Sequence, residues 1–200
     1  MATSATPNGL RPVNLIGGLP YSGSTRLIKI GSAYATNIFY GDIVSILAAG
    51  TIAKVTATGA DGTTNAFPAG VIGVFLGCTY TDPNLKYKVF KQYWPASTVA
   101  TDAYAYVVDD PNVVFQAQAN GSLDQTSLGA NVCVVQTAGS TLTGDSAVAL
   151  NASSVNVSTF LPFRIVGFVD GPFSAVGDAY TDTLVKFNSG IHSYTSGTGI

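Results

Sequence analysis

Few side chains in this chain could carry out chemistry, and they are spread widely along the sequence. There is one histidine, His192, and it lies in a segment rich in Gly and Ser. A Ser-His-Asp or Cys-His nucleophile would have to use this histidine as a general base held in a fixed position. A flexible segment positions such a group poorly. We therefore expect His192 to be exposed or docked on a partner, and we assign no catalytic residue.

The acidic residues and cysteines also lack the spacing of a hydrolytic or metal site. Asp109 and Asp110 are adjacent and precede Pro111, which fits a turn better than the separated carboxylate pair of a glycosidase. Cys78 and Cys133 show no C-x-x-C spacing, so no zinc site is expected. We expect two reduced, buried thiols, and a disulfide stays open as the alternative. No metal and no cofactor are predicted.

The composition favours a protein that acts by contact. Hydrophobic residues make up 46% of the 200 residues and charged residues only 10%, against roughly 25% charged in an ordinary domain. A subunit docked on others needs less surface charge than a freely diffusing one. The nine Lys and Arg are scattered and the net charge is −2, so we expect no nucleic acid as a partner. The first 24 residues lack the apolar core of a signal peptide, and no apolar run is long enough for a membrane span, so we expect neither.

The elements that must position these residues are predicted to be strands. Short apolar or alternating runs recur with turn signals between them, as in sandwiches and barrels. We predict an all-β fold, a single β-barrel or a jelly-roll/β-sandwich domain over 25–187. The predicted strands lie within 25–30, 42–47, 51–56, 71–80, 85–93, 103–108, 112–119, 132–136, 147–150, 160–169 and 183–187, with a polar turn at Asp61-Gly62 and a single helical turn within 122–128.

Two strands carry more specific expectations. Gly73 and Gly77 interrupt a long apolar run and predict bulges or tight curvature. In the next strand, Leu85, Tyr87 and Val89 alternate with lysines, which predicts one buried and one solvated face.

The ends of the chain differ from this pattern. Prolines and glycines in residues 1–24 predict an extended N-terminal arm. Its apolar side chains must be buried on its own domain or on a neighbour. We expect residues 188–200, rich in Gly, Ser and Thr, to form a C-terminal tail that is flexible or docked on a partner. In the middle of the chain, Tyr93 and Trp94 are candidate interface aromatics, with core packing and a carbohydrate-binding face as alternatives.

A series of short motifs runs in order along nearly the whole chain. They are Pro7-Asn8-Gly9-Leu10-Arg11-Pro12-Val13, Gly41-Asp42-x-Val44, Gly70-Val-Ile-Gly73-Val74, Tyr93-Trp94-Pro95, Val107-Val108-Asp109-Asp110-Pro111 with Phe115 and Gln118, and Arg164-Ile-Val166 leading to Asn188 and His192. In this order the chain resembles a family of small structural proteins of tailed bacteriophages, the capsid cement or decoration proteins.

The resemblance implies a non-enzymatic virion protein on the outer surface of an HK97-type capsid, where it stabilises contacts between capsomers. Its partners would be the major capsid protein and copies of itself in a homotrimer or homodimer. The docking residues would be those of the arm, namely Leu10, Arg11, Val13, Leu15 and Ile16, with Arg11 pairing with a capsid carboxylate or carbonyl. The alternative is a head-fibre or tail-associated protein that binds a receptor or carbohydrate through its aromatic residues.

Overall fold

The computed structural model describes residues 4–59, 66–197 and 199, and their regular secondary structure is β. The strands are β1 (Arg11–Leu15), β2 (Arg26–Lys29), β3 (Ile43–Ile46), β4 (Ile52–Lys54), β5 (Val71–Thr81), β6 (Lys88–Lys91), β7 (Tyr104–Val108), β8 (Val113–Gln118), β9 (Asn131–Val132), β10 (Val134–Val135), β11 (Ala149–Leu150), β12 (Phe163–Phe168) and β13 (Asp182–Phe187). Three single-turn 3₁₀ helices complete them, at Gln125–Ser127, Ala152–Ser154 and Ser193–Thr195. The predicted all-β fold is confirmed, and the Asp61-Gly62 turn lies outside the described residues.

The strands form three antiparallel sheets that pack as a β-sandwich. The first sheet has the order β1-β8-β13-β12-β9, and the second has the order β2-β7-β5-β3-β4 with β6 also paired to β5. A small third sheet joins β10 and β11. The chain passes from the second sheet to the first between β7 and β8, at the predicted turn, where the Asn112 N–H donates to Asp110 Oδ1 at 2.8 Å.

The centre of the second sheet is buried on both faces. One face packs on the first sheet and forms an inter-sheet core that includes Val74, Val108, Phe115 and Phe163. The opposite face forms an outer core that includes Ile38, Phe75, Tyr80 and Trp94. Because successive side chains of a strand point to opposite faces, β5 supplies both cores. A strand buried on both sides reads as a nearly continuous apolar run, which explains its sequence.

Both glycines of β5 sit at irregularities in strand pairing, as predicted. Gly73 has φ +152° and Gly77 has φ +141°, in a region that side chains rarely adopt. The register shifts opposite Gly73 in the β3 pairing and beside Gly77 in the β7 pairing. A Cβ on Gly73 would lie 1.8 Å from the Val108 carbonyl oxygen. Only glycine therefore allows β5 and the end of β7 to approach this closely.

Residues 9–15, which the sequence places in the predicted arm, belong to the domain. Strand β1 pairs with β8 and forms an edge of the first sheet, where a proline such as Pro12 is tolerated. The Leu10 N–H donates to the Gly41 carbonyl at 3.0 Å, and the Leu10 side chain is fully buried in the inter-sheet core. The sequence left open whether the apolar side chains of this segment are buried on their own domain or on a neighbour. The Leu10 side chain is buried on its own domain.

The expected burial of Leu85 and Tyr87 is wrong. Both side chains are more than half exposed, and Val89 alone of the three packs against the outer core. The reason is a turn before β6, in which the N–H of Lys86 donates to the Asp82 carbonyl and the N–H of Leu85 to its carboxylate. Alternation in the sequence separates two faces but does not show which face another element covers.

Candidate functional site

Asp42 is fully buried and forms a polar network that fixes the start of β3. Its carboxylate accepts hydrogen bonds from the Ser146 hydroxyl at 2.6 Å and the Phe39 N–H at 2.8 Å. The Lys54 ammonium lies 2.8 Å from the same carboxylate, and the Lys54 side chain is nearly buried. We call these four residues the Asp42 network. Since Gly41 accepts the hydrogen bond from Leu10, the network also anchors the N-terminal segment, and the Gly41-Asp42-x-Val44 motif has a structural role.

An open groove of about 630 Å³ lies between the edge of the first sheet and the second sheet. We call it the sheet-edge groove. The side chains that give it its chemical character come from several elements and from both sheets, and they are Arg11, Tyr40, Phe90, Gln92, Tyr106 and Asp145. Neither a single strand nor a single sequence motif contains this set.

Strand pairing places the aromatic side of the groove. Tyr106 of β7 lies opposite Gly77, and Thr79 lies between Tyr104 of β7 and Phe90 of β6. Residues directly opposite one another share a face of the sheet. Farther along that face, Val108 is buried in the inter-sheet core, whereas Phe90 is 70% exposed. The groove therefore occupies the part of the second sheet that the first sheet does not cover.

The polar side of the groove is held in position by the backbone. Tyr40 and Asp145 form a parallel β-bridge, and the Tyr40 N–H donates to the Gly144 carbonyl at 3.0 Å. Asp145 Oδ1 accepts a hydrogen bond from Gln92 Nε2 at 2.8 Å and lies 3.9 Å from Arg11 Nη2. A guanidinium has five N–H donors, so this long, half-exposed ion pair leaves Arg11 able to bind another group.

The Cys78 thiol lies in the outer core and is protonated at neutral pH. Burial raises its pKa to about 12, more than the nearby Lys91 lowers it. Because the thiolate is the reactive form, the protonated thiol is inert, and its Sγ–H donates to the Tyr93 carbonyl at 3.4 Å. Both cysteines are free and buried, which confirms the prediction of reduced, buried thiols.

His192 lies in the interior of the protein, and the prediction that it is exposed or docked on a partner is wrong. Its side chain is 1% exposed, its backbone bridges Val71 of β5, and its ring contacts Phe187 and Tyr194. The Tyr194 N–H donates to Nδ1 at 3.2 Å, and Nε2 has no partner within hydrogen-bonding geometry. The tail turns back after β13 in a turn in which the Ile191 N–H donates to the Asn188 carbonyl at 3.3 Å.

The surroundings of His192 keep it neutral. Desolvation lowers its pKa, and the nearby Ile72 carbonyl and the carboxylates of Asp109 and Asp110 offset this only in part. Asp109 is itself held by Arg26 Nε at 2.7 Å and by the Tyr194 hydroxyl at 3.1 Å. These contacts tie the C-terminal segment to β2 and to the β7–β8 turn.

The predicted docking residues are separated by the fold. Leu10 is in the core and cannot reach a partner, and Leu15 packs partly against the same core. Arg11 lies on the wall of the sheet-edge groove. Val13 and Ile16 are exposed at the edge of the first sheet. The prediction therefore identified three accessible residues and two that hold the segment to its own domain.

Of the two candidate interface aromatics, Trp94 takes the core alternative. Trp94 is fully buried in the outer core, with its ring 5.2 Å from that of Tyr80. Tyr93 is half-buried and stacks on Phe39 at 5.6 Å. Trp94 is unavailable as an interface residue in this fold. The aromatic side chains that do reach solvent beside the groove are those of Phe90 and Tyr104.

Sequence reasoning missed most of the groove. Gln92 and Asp145 are 53 positions apart, and no local pattern connects them. The sequence held one signal for Phe90, which lies between Val89 and Lys91 in a strand with lysines at both ends. A large aromatic residue on the solvated face of such a strand indicates either an interface or a ligand.

Several loops expose large apolar side chains. Ile16 and Leu19 follow β1, Leu142 lies beside the groove, and Phe173 is in the loop between β12 and β13. Leu142 is 94% exposed and Phe173 is 83% exposed. Single exposed apolar residues are ordinary in folded proteins. Exposure of side chains this large to water is unfavourable, and the chain has few charged residues.

Comparisons with known proteins give no relative, because no protein-family model, curated protein or solved structure matches the chain. Within the described ranges, no helix is long and apolar enough to cross a membrane. The same part of the chain contains no group of three or more His, Cys or Asp side chains that could hold a metal ion.

Proposed function

We propose that the protein is a non-enzymatic structural subunit that binds the outer surface of a tailed-bacteriophage capsid and stabilises contacts between its capsomers. The observation that carries the proposal is the group of large apolar side chains exposed in and directly after β1, Val13, Ile16 and Leu19, on a chain with only 10% charged residues. Burial of apolar surface contributes roughly 25 cal/mol per Å². The ordered motifs of the sequence support the choice of a phage capsid as the partner surface.

The best candidate docking element is the turn after β1, residues 16–20. The Leu15 N–H donates to the Leu19 carbonyl at 2.7 Å, and the Ile16 N–H donates to the Asn112 carbonyl at 2.9 Å. These bonds hold the turn against the first sheet while Ile16 and Leu19 remain at least half exposed. A preformed element loses less conformational entropy on binding than a flexible arm. Val13 extends the same apolar edge.

Repetition over a shell would convert weak contacts into stable attachment. Linked binding events raise the overall affinity without any new contact, and a ligand that binds only the mature lattice stabilises it by mass action. The partners in this proposal are the major capsid protein and further copies of the chain in a homotrimer or homodimer. The site of action is the outer surface of the virion.

Purified shells that lack the protein provide the test. We expect saturable co-sedimentation of the protein with the shells and a higher temperature of shell disruption. The Ile16→Ser/Leu19→Ser double variant should bind the shells at least about tenfold more weakly, since it loses the two apolar side chains that the shell would cover. Phe173→Ser is the matched control, because Phe173 is at the opposite end of the first sheet. Absence of shell binding by the wild-type protein would refute the proposal.

The alternative function, a head-fibre or tail-associated protein that binds a receptor or carbohydrate, is favoured by one observation. The sheet-edge groove combines exposed aromatic and planar polar side chains. A protein that binds cells but not shells would support this alternative.

A further inference from the structure

We propose that the sheet-edge groove binds a neutral oligosaccharide through Phe90 and Gln92. This inference rests on the alternative function and not on capsid docking, because no residue of the turn after β1 lines the groove. The volume of about 630 Å³ is within the range of small-molecule sites, roughly 300–1,000 Å³. It is large enough for one or two sugar rings with further rings extending into solvent.

The base of the groove depends on a residue without a side chain. Gly77 lies between Tyr106 and the strand that carries Phe90. Its φ of +141° disfavours any other residue, and a Cβ there would be 3.1 Å from the Lys91 carbonyl oxygen. Gly77 therefore adds no side chain to the lining between these strands.

The aromatic wall offers a stacking surface. Phe90 is 70% exposed, whereas Thr79, its partner on the neighbouring strand, is buried. A pyranose ring has one face of C–H groups, and such a face packs on an aromatic ring as apolar surface does. Phe90 has no polar group, so its contribution to binding would come from this contact alone.

The polar wall offers hydrogen bonds at fixed positions. Gln92 and Asp145 are already joined at 2.8 Å, and Arg11 lies beside them. Planar amide, carboxylate and guanidinium groups present paired donors and acceptors, which match neighbouring hydroxyl groups of a sugar. Groups held in a connected network lose little freedom when a ligand binds.

Charge favours a neutral sugar over an anionic ligand. The Lys91 ammonium lies 5.8 Å from the centre of the Tyr80 ring, which belongs to the outer core, and Arg11 lies beside Asp145. An anionic ligand would therefore meet a carboxylate. Glycoside hydrolysis needs two carboxyl groups, and Asp145 is the single carboxylate of this lining. We therefore infer binding without cleavage.

Binding is tested with the full chain against five neutral tetrasaccharides, namely cellotetraose, maltotetraose, mannotetraose, chitotetraose and β-1,4-galactotetraose. A heparin tetrasaccharide serves as the anionic probe. Saturation-transfer NMR detects binding, and isothermal titration calorimetry gives the Kd. We expect at least one neutral probe to bind with a Kd below about 1 mM and more tightly than the heparin probe.

Variants locate the binding site. Phe90→Ala and Gln92→Ala should each weaken binding about tenfold, whereas Leu142→Ala should leave it within about twofold. Leu142 is a matched control because it is exposed in the turn that precedes Asp145 but does not line the groove. Unchanged thermal unfolding of the variants shows that they remain folded. No binding of any neutral probe, tighter binding of heparin, or binding unaffected by both groove substitutions would overturn the proposal.

Discussion

Replacing Asp42 with Ala tests how strongly the Asp42 network stabilises the fold. The substitution removes the acceptor for the Ser146 hydroxyl and the Phe39 N–H, and it leaves the Lys54 ammonium without its partner at 2.8 Å. All of these groups are buried or nearly so. The carboxylate therefore cannot be replaced by water without opening the structure around β3 and the loop before β11.

The expected loss of stability follows from these contacts. Removing one partner of a buried ion pair costs about 3–5 kcal/mol, and each buried donor left unsatisfied costs about 1–3 kcal/mol. Lys54 keeps a second favourable contact, since its ammonium lies 5.6 Å from the centre of the Phe39 ring. We therefore expect a decrease of about 3–5 kcal/mol in the free energy of unfolding, not the larger sum. For a domain of this size, the Tm would fall by about 6–20 °C.

Urea unfolding followed by circular dichroism measures this change, and a double-mutant cycle isolates the ion pair. Asp42→Asn keeps an acceptor but removes the charge, and Lys54→Met keeps the aliphatic stem. The double variant should be more stable than the sum of the single effects predicts, by about 1 kcal/mol or more. Asp170→Ala is the control, because Asp170 is exposed and its loss should stay within about 0.5 kcal/mol.

Two results would refute this reasoning. One is an Asp42→Ala protein within about 1 kcal/mol of the wild type, which would mean that the network contributes no more than a surface pair. The other is simple additivity in the cycle. If Asp42→Ala does not fold, the milder Asp42→Asn variant still measures the contribution of the charge.

Three further predictions concern the core. Gly73→Ala should destabilise the protein by at least about 3 kcal/mol in urea unfolding, since its Cβ would meet the Val108 carbonyl, whereas Gly171→Ala, which meets nothing within 4 Å, should not. Burial lowers the pKa of His192, so its neutral form stabilises the fold above the unfolded pKa of about 6.5, and that contribution is lost as the pH falls below this value. Urea unfolding at pH 7.5 and 5.5 should therefore show a smaller loss of stability for His192→Phe than for the wild type, and an equal loss would contradict the argument. Burial of both thiols and the raised pKa of Cys78 predict that Ellman's reagent labels neither thiol in the native protein and both in denaturant, so rapid native labelling would disprove this.

The fold class follows from local sequence signals, but the identity of the strands at the sheet edges does not. Alternation and turn residues are properties of short segments, so the strands, the bulges at Gly73 and Gly77 and the β7–β8 turn were predictable. Strand β1 pairs with β8, whose residues are about a hundred positions away, and nothing near Pro12 indicates that partner. An extended segment with prolines is compatible with both a free arm and an edge strand.

The candidate site was predictable only in part for the same reason. Arg11 was identified from its motif, and the structure places it beside Gln92 and Asp145, which the sequence does not connect. His192 was misread because composition indicates flexibility, whereas the ring contacts with Phe187 and Tyr194 that bury it are tertiary. Composition describes a segment, and burial depends on what the rest of the chain brings to it.

The pairing of β1 with β8 has a consequence for the order of folding. Arg11 pairs with Gln116, so β1 leaves the ribosome long before its partner is made, and synthesis at about 5–20 residues per second leaves it unpaired for seconds. During that time Leu10 has no core to enter. Where many copies are made together, the β8 of a neighbouring chain competes for the same strand, and exchange of β1 between copies becomes a route to intertwined oligomers.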